Sequence, residues 1–397
     1  MAERIRFKNE KRVELGKVDG DVEIKDCAVV APKTGSAITI AGALRVDGET
    51  VIAGSLSCHS LLATSHNTIT VEGHLTVNAT VEVEKGSLAV TGSASARRLD
   101  VGGGLIVKGN LTCQIVDVGG GLEVDGDLKT DKLEAGGSAR IGGKIDASTA
   151  EVGGAMSCNH GFIKNVDVGG AFKATGAMEI GDLDVGGAAV VGPGSKILTV
   201  DVGGVFKATG DVTFETIDVG GTVKIEGNAT GKSIDVGGVL KVEGSLLLGE
   251  KLEVGGAAAV TQDLHAGESI EIRGSLRVGN RIESRSIEVG GAIGATYIKA
   301  VDQFSIGRRG EVRGLVEGGE LLVREKARGE SFYGKSIRVE EGARVQNLYG
   351  QDIYLERDVT VEGDLLYTGT LEVERDAHLT REPRKVAKLP SLKQLIR

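Results

Sequence analysis

Tryptophan is absent from these 397 residues, all aromatics together make up 3 %, and proline occurs only 4 times. With so few large side chains a thick globular core cannot be filled, so whatever is buried must be built from Val, Ile, Leu and Ala. A cationic excess is also missing: 47 Lys and Arg against 56 Asp and Glu leave a net charge of −9, which argues against a nucleic-acid binder. No apolar run approaches the ~18 residues a membrane span needs, and the opening MAERIRFKNEKRVE has no apolar signal core. A soluble, cytoplasmic chain is expected.

The 4 cysteines, Cys27, Cys58, Cys113 and Cys158, show neither CxxC spacing nor the density of a disulfide framework. They read as small buried hydrophobes. Cys158-Asn-His160 and Cys58-His59 offer soft metal ligands but lie coils apart, so no structural metal is expected. Histidines such as His66, His74, His265 and His378 are scattered, and there is neither a GxSxG elbow nor a carboxylate pair that stands out from the repeating acids. No enzyme and no cofactor are expected.

What is abundant is glycine, 62 residues, beside 40 % apolar residues, too many for a disordered Gly-rich chain. The phrase Asp/Glu-Val-Gly-Gly, with minor variants, begins at Asp100, Asp117, Glu134, Glu151, Asp167, Asp184, Asp201, Asp218, Asp235, Glu253 and Glu288, with a degenerate copy at Glu271; the steps are 16 to 18 residues. A constant beat of this length marks a solenoid. Within one unit, LDVGGGLIVKGNLTCQI from Leu99 to Ile115, apolar residues alternate in three bursts: Leu99 and Val101, Leu105 and Val107, Leu111 and Cys113. Period two means strands, and glycine between the bursts means sharp corners, expected to use positive φ. The fold expected is therefore an all-β, single-stranded parallel β-helix of triangular cross-section with about 17 residues per coil. Inward positions should stack as aliphatic ladders about 4.8 Å apart, such as Val101, Val118, Ala135, Val152, Val168 and Val185.

Along the chain, residues 1–12 are expected to be a short tail or leading strand, 13–82 irregular coils, 83–299 regular coils, 300–380 further coils without the Asp/Glu-Val-Gly-Gly phrase, and 381–397 a basic tail. All five tyrosines lie in the last hundred or so residues, and Tyr333, Tyr349 and Tyr367 recur at steps of 16 and 18, which predicts a stacked ladder and a candidate interface. Leu389, Leu392, Leu395 and Ile396 could line one face of a short helix in a tail that also carries Arg381, Arg384, Lys385, Lys388, Lys393 and Arg397.

Two motifs suggest ligands. Gly329-Glu-Ser-Phe-Tyr-Gly-Lys335-Ser336 fits the pattern of a nucleotide-binding loop, but a strand-like stretch follows where that loop needs a helix, and Gly231-Lys-Ser occupies the same place in its own coil; the match is judged coincidental. The acidic ladder that includes Asp100, Asp117, Asp201 and Asp218 could load cations, yet the calcium-binding β-helix repeat puts its acid after the glycines and keeps a nine-residue period. A solvated face is the preferred reading. Asn78-Ala-Thr, Asn110-Leu-Thr and Asn228-Ala-Thr match the glycosylation sequon and are read as chance.

The texture LxVxGxLxxxxLxVGGxLxV, as in LKVEGSLLLGEKLEVGG from Leu240 to Gly256, resembles the bactofilins, the polymer-forming cytoskeletal proteins, over roughly residues 13–380. That resemblance implies a right-handed β-helix that polymerises end to end without nucleotide and serves as a scaffold, with itself as principal partner and other proteins recruited through the tails. This chain is much longer than a usual bactofilin, and its opening does not match the short apolar membrane-targeting segment some members carry, so membrane association is not carried over. Left-handed hexapeptide helices are disfavoured because bulky Leu105, Leu122, Phe172, Phe206 and Leu240 stand where a small residue is wanted. The competing functional reading is a rod that binds a protein or polysaccharide along its side.

Overall fold

The computed structural model describes residues 4–64 and 66–395. The chain forms a parallel β-solenoid of about 22 turns with about 17 residues per turn, divided into two compact units, 1–197 and 198–397.

In the first unit, the coil that follows Val101 shows how the sequence makes the fold. Leu105–Val107 and Leu111–Val118 are strands in which Leu105, Val107, Leu111, Cys113, Val116 and Val118 are buried. Between Cys113 and Val116 the alternation skips a beat, so the chain turns a corner inside the longer strand and each coil acquires three faces. Every face contributes two inward side chains. The Val101, Val118, Ala135, Val152, Val168 and Val185 ladder is in register from coil to coil, as is Leu99, Val116, Leu133, Ala150, Val166 and Leu183 beside it. An isolated coil could not offset the entropy of ordering its backbone, so its stability comes from the neighbours that complete its hydrogen bonds and cover its apolar rungs. All four cysteines are buried and unpaired, and burial pushes the Cys58 and Cys158 thiols up to about 12.

Glycine at the Gly-Gly corners has a different cause from the one expected. None of these glycines has positive φ. Instead successive corners nest so closely that a Cβ on Gly136 would lie 2.5 Å from the Gly119 carbonyl oxygen, and one on Gly153 would lie 2.5 Å from that of Gly136. At the next corner of each coil runs a ladder of short polar side chains: Ser93 Oγ accepts from the Asn110 N–H at 3.1 Å, Asn110 Oδ1 from the Asp127 N–H at 2.9 Å, and Asp127 Oδ1 from the Lys144 N–H at 2.7 Å. The sequon asparagine Asn110 is thus a corner residue with a structural task.

The second unit repeats this arrangement up to about residue 290, with Asp211 and Asn228 in the same corner role. Its later coils are built from longer strands, Ala292–Ile306, Glu311–Val323, Arg328–Val339 and Arg344–Leu355. Here Gly-Gly is replaced by tight turns centred on Arg309, Lys326, Gly342, Asp358 and Asp376, with φ between 57° and 67°. Phe304 and Phe332 fill the interior, their ring centres 6.4 Å apart.

Both terminal segments carry ordered strand, the first as the leading strand that was one of its two readings. Arg4–Lys8 pairs with Asp21–Lys25, and Arg384–Lys385 pairs with Leu366–Tyr367, so the solenoid extends beyond the boundaries at 12 and 381. A four-residue helix, Leu392–Leu395, buries none of its residues; Ile396 and Arg397 lie outside the described residues. No helix among the described residues is long and apolar enough to cross a membrane.

Candidate functional site

Lys335 and Ser336 sit exposed within the continuous strand Arg328–Val339. The helix whose N-terminus would face a nucleotide phosphate is therefore not there, and the structure gives the motif no phosphate-binding loop. Lys335 instead borders a side groove of about 500 Å³ with Tyr333, Lys299, Glu317 and Lys388.

The tyrosines form less of a ladder than expected. Tyr333 is in register with Tyr349, but Tyr349 meets Leu366 while Tyr367 meets Gly350. The next coil is one residue longer between these positions, which swings Tyr367 off the column. Tyr349 is buried, and Tyr367 lies beneath the Lys385 ammonium at 6.0 Å.

The acidic ladder is real. Asp100, Asp117, Glu134, Glu151, Asp167 and Asp184 are consecutive rungs in the first unit, and Asp218, Asp235, Glu253, Glu271 and Glu288 in the second. Burial, then repulsion from Asp235 and Asp201, raises the Asp218 carboxyl above its ordinary value; burial followed by Asp100 and Glu134 does the same to Asp117. Part of the charge is answered internally: Arg98 lies 3.4 Å from Asp100 and 3.7 Å from Asp117, and Lys132 reaches both Glu134 and Glu151. Among the described residues no three His, Cys, Asp or Glu side chains converge as a metal site would require.

The feature with most chemical consequence is the pair of terminal layers. At the start, the inward residues of Arg4–Lys8 are Ile5 and Phe7, in register with Val22 and Ile24. Val22 is 0 % exposed but Ile5 is 38 %. At the other end, Leu371 and Val373 are in register with Ile353 and Leu355. Leu355 is 0 % exposed and Val373 43 %. Among the described residues neither terminal strand has a strand on its outer edge. Each end thus presents apolar rungs and a row of backbone donors and acceptors. Sequence reasoning anticipated exposed ends but not these residues, because Arg4–Lys8 looks charged until its alternation is phased against Val22 and Ile24.

Comparisons with protein-family models, with curated proteins and with solved structures return no match.

Proposed function

We propose that this protein is a structural, non-enzymatic scaffold of the bactofilin kind, which polymerises in the cytoplasm without nucleotide by stacking coils between molecules as it stacks them within one. The observation that carries this reading is the half-covered apolar layer at each end, Ile5 with Phe7 and Leu371 with Val373, on strands whose outer edges can accept another parallel strand. Burying such a layer removes apolar surface from water at roughly 25 cal/mol per Å² and completes a ladder of hydrogen bonds. Negative-stain electron microscopy of the purified chain in nucleotide-free buffer tests it. Filaments are the expected result; dispersed short particles at high protein concentration would sink the proposal. A second reading, a side-binding platform for protein or polysaccharide, draws on the groove that Tyr333, Lys335 and Lys388 border, and predicts a ligand-saturable particle that stays unpolymerised.

A further inference from the structure

The side groove that Lys335 borders exists because neighbouring coils turn one corner with different numbers of residues. Between Ala300 and Phe304 the corner takes three residues. Between their partners in register, Gly318 and Leu321, then Gly334 and Ile337, then Gly350 and Ile353, it takes two. Between Tyr367 and Leu371 it takes three again. Three short corners are thus recessed between two longer ones, as a notch of about 500 Å³ with Val301 on one wall and Thr368 with tail residues 387–389 on the other. The tail is brought to the notch by Val386, whose N–H donates to the Tyr367 carbonyl at 2.9 Å. From wall to wall the notch spans four coil spacings, about 19 Å, a distance that about six residues of extended chain cross.

The charges on its lining do not balance. Lys299 is held by Glu283 at 2.8 Å. Glu317, the one acid on the lining, accepts from the Tyr297 hydroxyl, and burial raises its carboxyl above the ordinary value. The acids of the same corners, Asp302, Glu320 and Asp352, do not line the groove. Lys335 and Lys388 remain, both exposed and, among the described residues, without an ion-pair partner. Between these ammonium groups the lining is apolar: Val301 is 54 % exposed, and Tyr333 and Leu389 are half-buried. We propose that the notch docks an acidic peptide segment of a partner protein, whose carboxylates pair with Lys335 and Lys388 while an apolar side chain packs on Val301 and Tyr333. This site rests on the side-binding reading and needs no polymer. An acidic saccharide would answer the two charges but not the uncovered Val301 and Leu389, which call for a ligand with apolar groups of its own.

Titration of the full chain with a synthetic peptide tests the assignment. The protein has no tryptophan, so a single tryptophan on a probe of about six residues that alternates glutamate with leucine reports binding through its own emission. Saturable binding is expected, about tenfold weaker when the glutamates become glutamines. Lys335→Glu and Lys388→Glu, both at exposed positions, should each weaken it about three- to tenfold. Lys232→Glu changes the same Gly-Lys-Ser phrase in a coil outside the notch and should leave the affinity as it was. Equal affinities for the glutamate and glutamine peptides, or an equal loss from Lys232→Glu, would overturn the proposal. Binding of polygalacturonate, followed by calorimetry, with none of the peptide would overturn the peptide assignment and leave the side-binding reading standing. Silence from both probes would remove that reading as well, whatever the chain does by way of filaments.

Discussion

At the scale of single residues, two glycines of the first unit are required for unrelated reasons, and one comparison separates them. A Cβ at Gly136 would meet a backbone carbonyl at 2.5 Å, whereas one at Gly194 would meet nothing within 4 Å, but Gly194 has φ of +75°. Gly136→Ala must therefore push two coils apart and should cost about 2 kcal/mol or more, as overpacking does. Gly194→Ala pays only local backbone strain and should cost about 1 kcal/mol. Chemical denaturation midpoints of the two variants, read beside the parent, check the order; equal losses would contradict the nesting argument. Glycine's recurrence was legible in the sequence, but its reason was not, because a turn and a close approach leave the same letter. The polar corner ladder was legible in principle, since Ser93, Asn110 and Asp127 follow one another at 17-residue steps, yet each residue alone looks like ordinary loop chemistry.

At the scale of elements, a row of like charges one strand apart has a pH dependence whose sign is fixed. Asp218 has a raised carboxyl value in the folded chain, so in the window just above the ordinary carboxylate range the folded state holds more protons than the unfolded one. Its contribution to stability is then most favourable below its unfolded value and is lost as pH rises through the folded value. Asp218→Asn should raise the denaturation midpoint at pH 7, and that advantage should shrink as the solution is acidified into this window. Glu226 and Glu243 have the opposite sign, their values lowered by hydrogen bonds from Lys224 and Lys241 respectively, so the substituted position must be compared with the parent at each pH. Strand phase and inward ladders were readable because period two and a 17-residue beat both leave a pattern in the letters. The tyrosine ladder holds from Tyr333 to Tyr349 and stops there because one extra residue moves Tyr367 to a neighbouring column, and residue type alone does not show which segment absorbs the insertion. At Arg4–Lys8 the sequence left tail and leading strand open, because its charges alternate with only two apolar residues, Ile5 and Phe7.

At the scale of the whole molecule, a repeat in which each coil touches only its neighbours should tolerate loss of a complete coil but not of a fraction. Asp117 and Glu134 are adjacent rungs 17 residues apart, so deletion of residues 118–134 should bring equivalent positions together and preserve a β-rich circular dichroism spectrum with cooperative unfolding. Deleting only 118–126 should mismatch faces and collapse both signals; tolerance of the shorter deletion would refute the stacked-coil account. The division of corner types along the chain also bears on how such a protein can change. A Gly-Gly corner nested on its predecessor offers almost no neutral substitutions, so the edges built this way are closed to drift. The left-handed turns at Arg309, Lys326 and Asp358 already carry side chains into solvent, and that stretch is where new surface chemistry can accumulate by point mutation without disturbing the stack beneath it.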